Sequence, residues 1–460
     1  MLPLHHSGHS SCPTRTPVPW TLWRIQAPRF SLISLSLRGK CVGLTARSTS
    51  VNLPTLKRAR TQYGGVYLMF DEQGLPKEVV LERLDALIEA DSTYSSGHPI
   101  ASMSTLPHHI ATEVFVNTLE KNAGRLHTFK GSAQVEQEVI MMMGEMLGLG
   151  EPHGTTTSGG TESNLLAMLA AREVAKGIKR PEVIAPRTVH SSVDKSAWLL
   201  GVKLIKTPVD DQYRARSQAI DNAITENTIG IVATAGTTYL GQIDPIERIG
   251  DIALERNIPF HVDAAFGGFV IPFLKDLGMA NVNFDFAVKG VTSVSSDPHK
   301  MGLAPIPAGT IIFRHPEFLK AITRKVPYLQ GASSTQASIL GTRPAASILA
   351  TWAVMKHLGR EGYRKVVAEC MNRTRLAMDR IRANPAVRAA IEPIMNLVGI
   401  LSEETPLETV VRLMEEKGWR MATSPLPPTI RLVIMPHVTE EVLNVFFDDL
   451  DQVTARAASA

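Results

Sequence analysis

Four short segments carry residue types that could do chemistry together. In "TSGGTESN" (157–164), Gly159 and Gly160 permit close backbone approach, and Thr161 and Glu162 open a helix. Free N–H groups and the positive dipole end at such a helix start can hold an anion, although an ordinary capped helix reads the same way. His190 in "TVHSSVDKSAW" follows a short apolar run, where a flat imidazole either packs structurally or stacks on a flat ring. Asp263 in "HVDAAFGG" (261–268) ends an apolar strand and is trailed by small residues that leave room above it. A carboxylate placed there needs a partner, either a protonated heterocyclic nitrogen or an Arg or backbone N–H. Lys300 in "SVSSDPHKMGLAPIPAGTIIFR" (293–314) sits between small polar residues and a Pro/Gly-broken stretch. Most lysines are solvated, but one seated at a strand end becomes a nucleophilic amine when desolvated or placed near another cation.

An anion cradle, a ring-stacking His, an acidic partner and a nucleophilic Lys, in that chain order, specify pyridoxal 5'-phosphate. The phosphate goes to the helix start, the pyridinium to Asp263, and the aldehyde to Lys300 as a Schiff base. Neither GxGxxG nor a Walker motif is present in the glycine loop, which weighs against dinucleotide or nucleoside-triphosphate binding.

The elements that must position these residues follow a regular order. Apolar runs "EVIAP", "VKLIKTPV", "IGIVATAG", "IPFHVDAA", "FDFAVKG" and "GTIIFR" alternate with helical stretches. That alternation predicts an α/β fold with a mainly parallel sheet covered on both faces, and ligands bind outside the carboxyl ends of such strands. Residues 345–382 read as helical with a break at Gly359/Gly362, and the remainder reads strand–helix–strand–helix. The expected division is a leader (1–68), an N-terminal helical segment (69–125), a large domain (126–345), connecting helices (346–384) and a small C-terminal α/β domain (385–460).

Composition narrows the function. Residues 1–68 hold nine basic residues and no Asp or Glu, leaving 39 basic against 44 acidic in the rest, so no nucleic-acid surface is expected. The leader reads as an upstream extension before a start at Met69, as a transit-type peptide or as a disordered tail. No apolar run is long enough to span a bilayer, so no membrane partner is expected. Cys12 and Cys41 lie in the leader and Cys370 stands alone. A disulfide framework and a cysteine metal site are therefore excluded, no metal is expected, and a reducing, cytoplasmic setting is.

The segments "TTTSGGTESN", "HSSVDKSA", "HVDAAFGG", "DPHKMGLAPIPAG" and "LGTRPAAS" resemble group II pyridoxal-phosphate-dependent decarboxylases, closest to the archaeal-type L-tyrosine/L-aspartate branch. The likeness runs over about residues 69–455. It implies the aspartate-aminotransferase type of fold (fold type I, with a seven-stranded sheet), a homodimer with active sites at the subunit interface, and decarboxylation of an L-amino acid. It also implies that Lys300 is the Schiff-base lysine, Asp263 the ring-nitrogen partner and His190 the stacking histidine. Gly160 and Thr161 match phosphate-cradle positions, with His299 as a phosphate neighbour and Ala265 as the small residue packed against the ring. Arg343 falls near the substrate or interface, Tyr328 in "VPYLQGASS" matches a mobile-loop proton donor, and His108 in "STLPHHIA" lines the substrate mouth. Arg431 in "IRLVIMPH" reads as a structural strand residue. One departure stands out. "RLHTFKGS" (125–132) replaces the "GDPGLFxGT"-like stretch of that branch, and its Leu-His leans toward sphingosine-phosphate-lyase relatives. A carbon–carbon lyase and a non-catalytic scaffold thus remain competing readings, with an aminotransferase or desulfurase less favoured.

Overall fold

The computed structural model describes residues 58–60, 66–68, 73–125, 127–329 and 331–458. The rest of the leader, Met69 and Leu126 of the Leu-His element lie outside the described residues. The chain divides into two compact units, Met1–Arg83 and Leu84–Ala460. In the first, strand Arg58–Arg60 pairs antiparallel with Val66–Leu68, and helix Lys77–Ile88 begins.

The second unit is built on a seven-stranded sheet. Its spatial order is His153–Thr157, Gly309–Phe313, Ser293–Ser296, Phe260–Asp263, Thr228–Thr234, Glu182–Pro186 and Lys203–Thr207. Gly309–Phe313 runs antiparallel to both neighbours, and the other pairs are parallel. Two reversals cancel, so His153–Thr157 points the same way as Ser293–Ser296. The carboxyl ends that precede Gly160, His190, Asp263 and Lys300 therefore share one edge of the sheet, the edge where α/β proteins bind ligands. The central strands are buried along their whole length, as a sheet covered on both faces requires.

Two expected elements differ. "FDFAVKG" (284–290) forms turns, and the strand lies later, at Ser293–Ser296. The reason is backbone crowding: a Cβ at Gly290 would sit 1.9 Å from the Gly250 carbonyl oxygen, and one at Gly250 would sit 2.4 Å from Val288 Cγ1. This segment crosses helix Ile246–Glu255 at backbone contact instead of extending. The glycine-loop segment is also preceded by a strand, His153–Thr157, whose run of threonines suits an extended chain.

Helix Ala346–Ala383 is broken at Gly359, whose φ of 55° and ψ of −171° leave the helical region where glycine alone does so freely. The C-terminal part forms a four-stranded antiparallel sheet in the order Val387–Ala389, Leu397–Ser402, Pro428–Val433, Thr423–Pro425, packed on helices Leu407–Glu416 and Glu440–Ala458. It has its own apolar cluster, including Trp419, Phe446 and Phe447, within the same unit as the large sheet. Among the described residues, no helix is long and apolar enough to cross a membrane.

Gly290→Ala is expected to destabilise the fold by about 2–3 kcal/mol, the usual cost of overpacking a rigid contact. A lowered denaturant midpoint with unchanged secondary structure checks this.

Candidate active site

The turn that carries Lys300 is fastened from several sides. The Lys300 N–H donates to the Asp297 carbonyl at 3.0 Å, and Ala304 N–H donates to the Pro298 carbonyl at 3.0 Å. A Cβ at Gly302 would meet Pro298 Cα and O at 2.6 Å, so the turn closes only with glycine there. The buried Tyr363 hydroxyl donates to the Gly302 carbonyl at 2.9 Å. Lys300 Nζ lies 3.1 Å from Asp297 Oδ2, a buried carboxylate that leaves its second oxygen unpartnered.

Asp263 is held by a relay reaching through the sheet. Its Oδ1 accepts the Ala265 N–H at 3.0 Å, and its Oδ2 accepts from Asn164 Nδ2 at 2.8 Å. Asn164 Nδ2 also reaches Ser192 Oγ at 2.9 Å, and Asn164 Oδ1 lies 2.9 Å from His261 Nε2. With Nδ2 donating, Oδ1 must accept, which assigns the His261 proton to Nε2 and leaves Nδ1 facing Ser293 Oγ at 2.9 Å. Burial pulls the His261 pKa down to about 4, so the ring stays neutral. The carboxylate is thus oriented by neutral dipoles, with no cation bonded to it.

His190 caps helix Ser191–Leu200: its Nδ1 accepts the Ser192 N–H at 3.2 Å. That bond fixes the ring and puts the proton on Nε2. Burial lowers its pKa against the opposing pull of Asp263. His299 Nδ1 accepts the Ala308 N–H at 3.1 Å, with Nε2 3.6 Å from Asp297 Oδ2, and burial again lowers its pKa.

The glycine loop leaves an open hollow. Gly159 has φ of 146°, and a Cβ there would lie 2.8 Å from His299 Cε1. A Cβ at Gly160 would lie 3.0 Å from both Ala265 Cβ and Asp297 Oδ2, so side chains would fill this space. The first helical bond runs from Ser163 N–H to the Gly159 carbonyl, so the N–H groups of Gly160, Thr161 and Glu162 precede it. Glu162 turns back, accepting from Ser158 N and Oγ at 2.7 Å each.

These groups line one cavity of about 420 Å³: Lys300, Asp263, His190, His299, Ala265, Gly160 and Thr161, together with Asp297, Asn164, Thr234 and Arg431. Three buried polar atoms at this wall, Thr234 Oγ1, Asp297 Oδ1 and Arg431 Nε, have no partner among the described residues. Unsatisfied buried polar groups are rare, and a cluster of them marks the position of a missing polar ligand. Together with the glycine hollow, the helix start and the amine, they suit a flat phosphorylated aldehyde.

Three substrate or interface candidates do not line the Lys300 cavity within this chain. Arg343 donates to both carboxylate oxygens of Glu136, at 2.7 and 3.0 Å, and to Thr156 Oγ1 at 2.5 Å. It lines a second cavity, of about 590 Å³, away from Lys300. Tyr328 is 82% exposed and does not line the Lys300 cavity. His108 caps helix His109–Asn117 and packs, with tilted rings, against His109 and His357. Conversely, Asp297, Asn164 and Arg431 were missed. The first two lie inside motifs read for their neighbours. Arg431 reaches the cavity from a strand of the C-terminal sheet, a juxtaposition no local pattern encodes.

Residues 92–400 match the pyridoxal-dependent decarboxylase conserved domain, and the chain belongs to that family. A probable L-aspartate decarboxylase of Pyrococcus abyssi is 45% identical over 384 residues, covering 84% of this chain and 99% of the relative. An L-aspartate/L-glutamate decarboxylase of Pyrococcus horikoshii is 43% identical, covering 84% and 100%. Among solved structures, a sphingosine-1-phosphate lyase of Burkholderia pseudomallei superposes with a TM-score of 0.78 at 27% identity, covering 86% and 94%. The chain is a pyridoxal-phosphate-dependent amino acid decarboxylase.

The relay has a pH signature. His261 is depressed from 6.5 to about 4 in the fold, so its contribution to stability is full above about pH 6.5 and lost as pH falls through about 4. His261→Gln is expected to flatten the part of the acid destabilisation that falls between these values. Urea midpoints of both proteins at pH 7 and pH 4.5 measure the difference.

Proposed function

We propose that the enzyme removes the α-carboxylate of L-aspartate, releasing CO2 and β-alanine. The observation that carries this reading is Arg431 Nε, a buried donor without a partner in the same cavity as Lys300. Its Nη atoms are already anchored, donating to the Ala101 carbonyl at 2.9 Å and the Thr238 carbonyl at 3.2 Å. The guanidinium is therefore held at both Nη atoms with its Nε–H unused, which suits a carboxylate of a dicarboxylic substrate. The named activities of the Pyrococcus relatives support the same choice.

When bound, pyridoxal phosphate supplies an electron sink for the pair left behind as CO2 departs. Lys300 Nζ would hold the aldehyde carbon, with Asp297 Oδ2, 3.1 Å away, orienting the amine. Asp263, oriented by Asn164 and the Ala265 N–H, would hold a proton at the ring nitrogen. His190, its Nδ1 tied to the Ser192 N–H, presents a fixed flat face. Gly160, Thr161 and His299 receive the phosphate. Lys300 Nζ, on the wall of the same cavity, would be the group that returns a proton to Cα. Arg431 orients the substrate so that the α-carboxylate is the group that leaves.

The same reading takes the enzyme to be a cytoplasmic homodimer. Leu199, Ile339 and Leu340 expose apolar side chains beside the glycine loop, a surface a second copy would cover and from which a partner loop would bring its Tyr328.

Purified holoenzyme is expected to absorb in the visible, lose that band on borohydride reduction, and turn aspartate into equal amounts of CO2 and β-alanine. Tyramine from tyrosine as the main product, or aldehyde from a phosphorylated sphingoid base alone, overturns the assignment. Lys300→Ala should lower kcat by about 1,000-fold or more. Arg431→Met should cost about 10- to 100-fold in kcat/KM for aspartate, the scale of one charged hydrogen bond. Its effect on a neutral amino acid should be smaller, which a purely structural role would not produce.

A further inference from the structure

We infer that His108, His109 and His357 form a binding site for a zinc-type divalent cation, separate from the Lys300 cavity. The three side chains offer ring nitrogens that all lie within 4.8 Å of one another. Ring centroids are 4.1 Å apart for His108–His109, 5.1 Å for His108–His357 and 5.7 Å for His109–His357. Three imidazoles around tetrahedral zinc place their nitrogens about 3.3 Å apart, from bonds of about 2.0–2.1 Å. His109 and His357 are exposed and His108 is half-buried, so rotation of two free side chains closes that gap.

The chemistry of the donors selects the ion. Imidazole nitrogen with no carboxylate in the cluster favours zinc, nickel or copper over magnesium or calcium, which demand oxygen ligands. Three protein nitrogens leave a fourth position for water, the pattern of an open zinc site. Two interactions oppose binding. The positive end of helix His109–Asn117 is nearby, but its effect is screened at an exposed surface. His108 Nδ1 also accepts the Ile110 N–H, at a long 3.4 Å, and this weak cap gives way whichever nitrogen of His108 takes the metal.

The position gives the ion something to hold. His109 begins one helix, and His357 lies two residues before the break at Gly359 in the long helix. Ala111 from the first helix and Ala350 and Val354 from the second pack around Leu303, Ala304 and Ala308, directly after the cofactor lysine. The His108 N–H donates to the Leu303 carbonyl at 2.9 Å, and Leu303 N–H donates to the Lys300 carbonyl at 3.2 Å. A cation bridging the three histidines therefore clamps the two helices that brace the Lys300 turn.

The test uses tag-free, chelator-dialysed holoenzyme titrated with zinc chloride by calorimetry. The leader also contains His5, His6, His9, Cys12 and Cys41, residue types that can take up zinc, so the reading is a difference between two full-length proteins. Wild type is expected to take up one more zinc per chain than His109→Ala/His357→Ala, to gain thermal stability with zinc where the double variant does not, and to ignore magnesium. Equal stoichiometry and equal thermal response in the two proteins overturn the site. Should the double variant fold poorly, the single exposed change His357→Asn reads the same difference.

Discussion

A carboxylate buried without a cation bonded to it is the constraint on which this active site turns. Asp263 sits at the carboxyl end of a fully buried strand, and the groups that bond to it directly are neutral dipoles: the Ala265 N–H and the Asn164 amide, with Ser295 Oγ at 3.4 Å. Such dipoles orient a charge but do not neutralise it. In the proposed assignment a protonated ring nitrogen would supply the counter-charge that these dipoles do not, so cofactor binding and the electrostatics of the core are one problem. Asn164 is central because its two ends differ. The amide nitrogen serves Asp263 and Ser192, and the oxygen serves His261 and Ser295.

Lys300 and Asp297 show the complementary solution. Here a charged pair is formed inside the cavity, at 3.1 Å, with one carboxylate oxygen left over. The amine is thereby held in place by Asp297 Oδ2, which also lies 3.6 Å from His299 Nε2. Preorganisation of this kind depends on the turn behind Lys300, which Gly302, Tyr363 and the His108 backbone close from three directions. Residues far from the chemistry in sequence thus determine where the amine stands.

The Glu136–Arg343 pair marks the limit of motif reading. In sequence, an arginine in "GTRP" looks available for a substrate carboxylate. In the fold both of its terminal nitrogens are spent on Glu136 and Thr156, which ties helix Lys130–Met146 to the segment entering the long helix. Arg431 is the opposite case. It reads as an ordinary strand residue, yet the C-terminal sheet brings it to the Lys300 cavity with a donor unused.

What the sequence determined by itself was local. Apolar runs alternating with helical stretches defined the covered parallel sheet, and strand ends followed by small residues placed Gly160, His190, Asp263 and Lys300 on one edge. This was legible because strand direction and period are properties of neighbouring residues. Tertiary structure alone decided the rest: that "FDFAVKG" turns because Gly250 and Gly290 touch, that Arg431 lines the Lys300 cavity while Arg343 does not, and that His357 meets His108 and His109, roughly 250 positions earlier. Each of those outcomes depends on which distant backbone fills a space, and steric exclusion between segments remote in sequence leaves no local pattern to read.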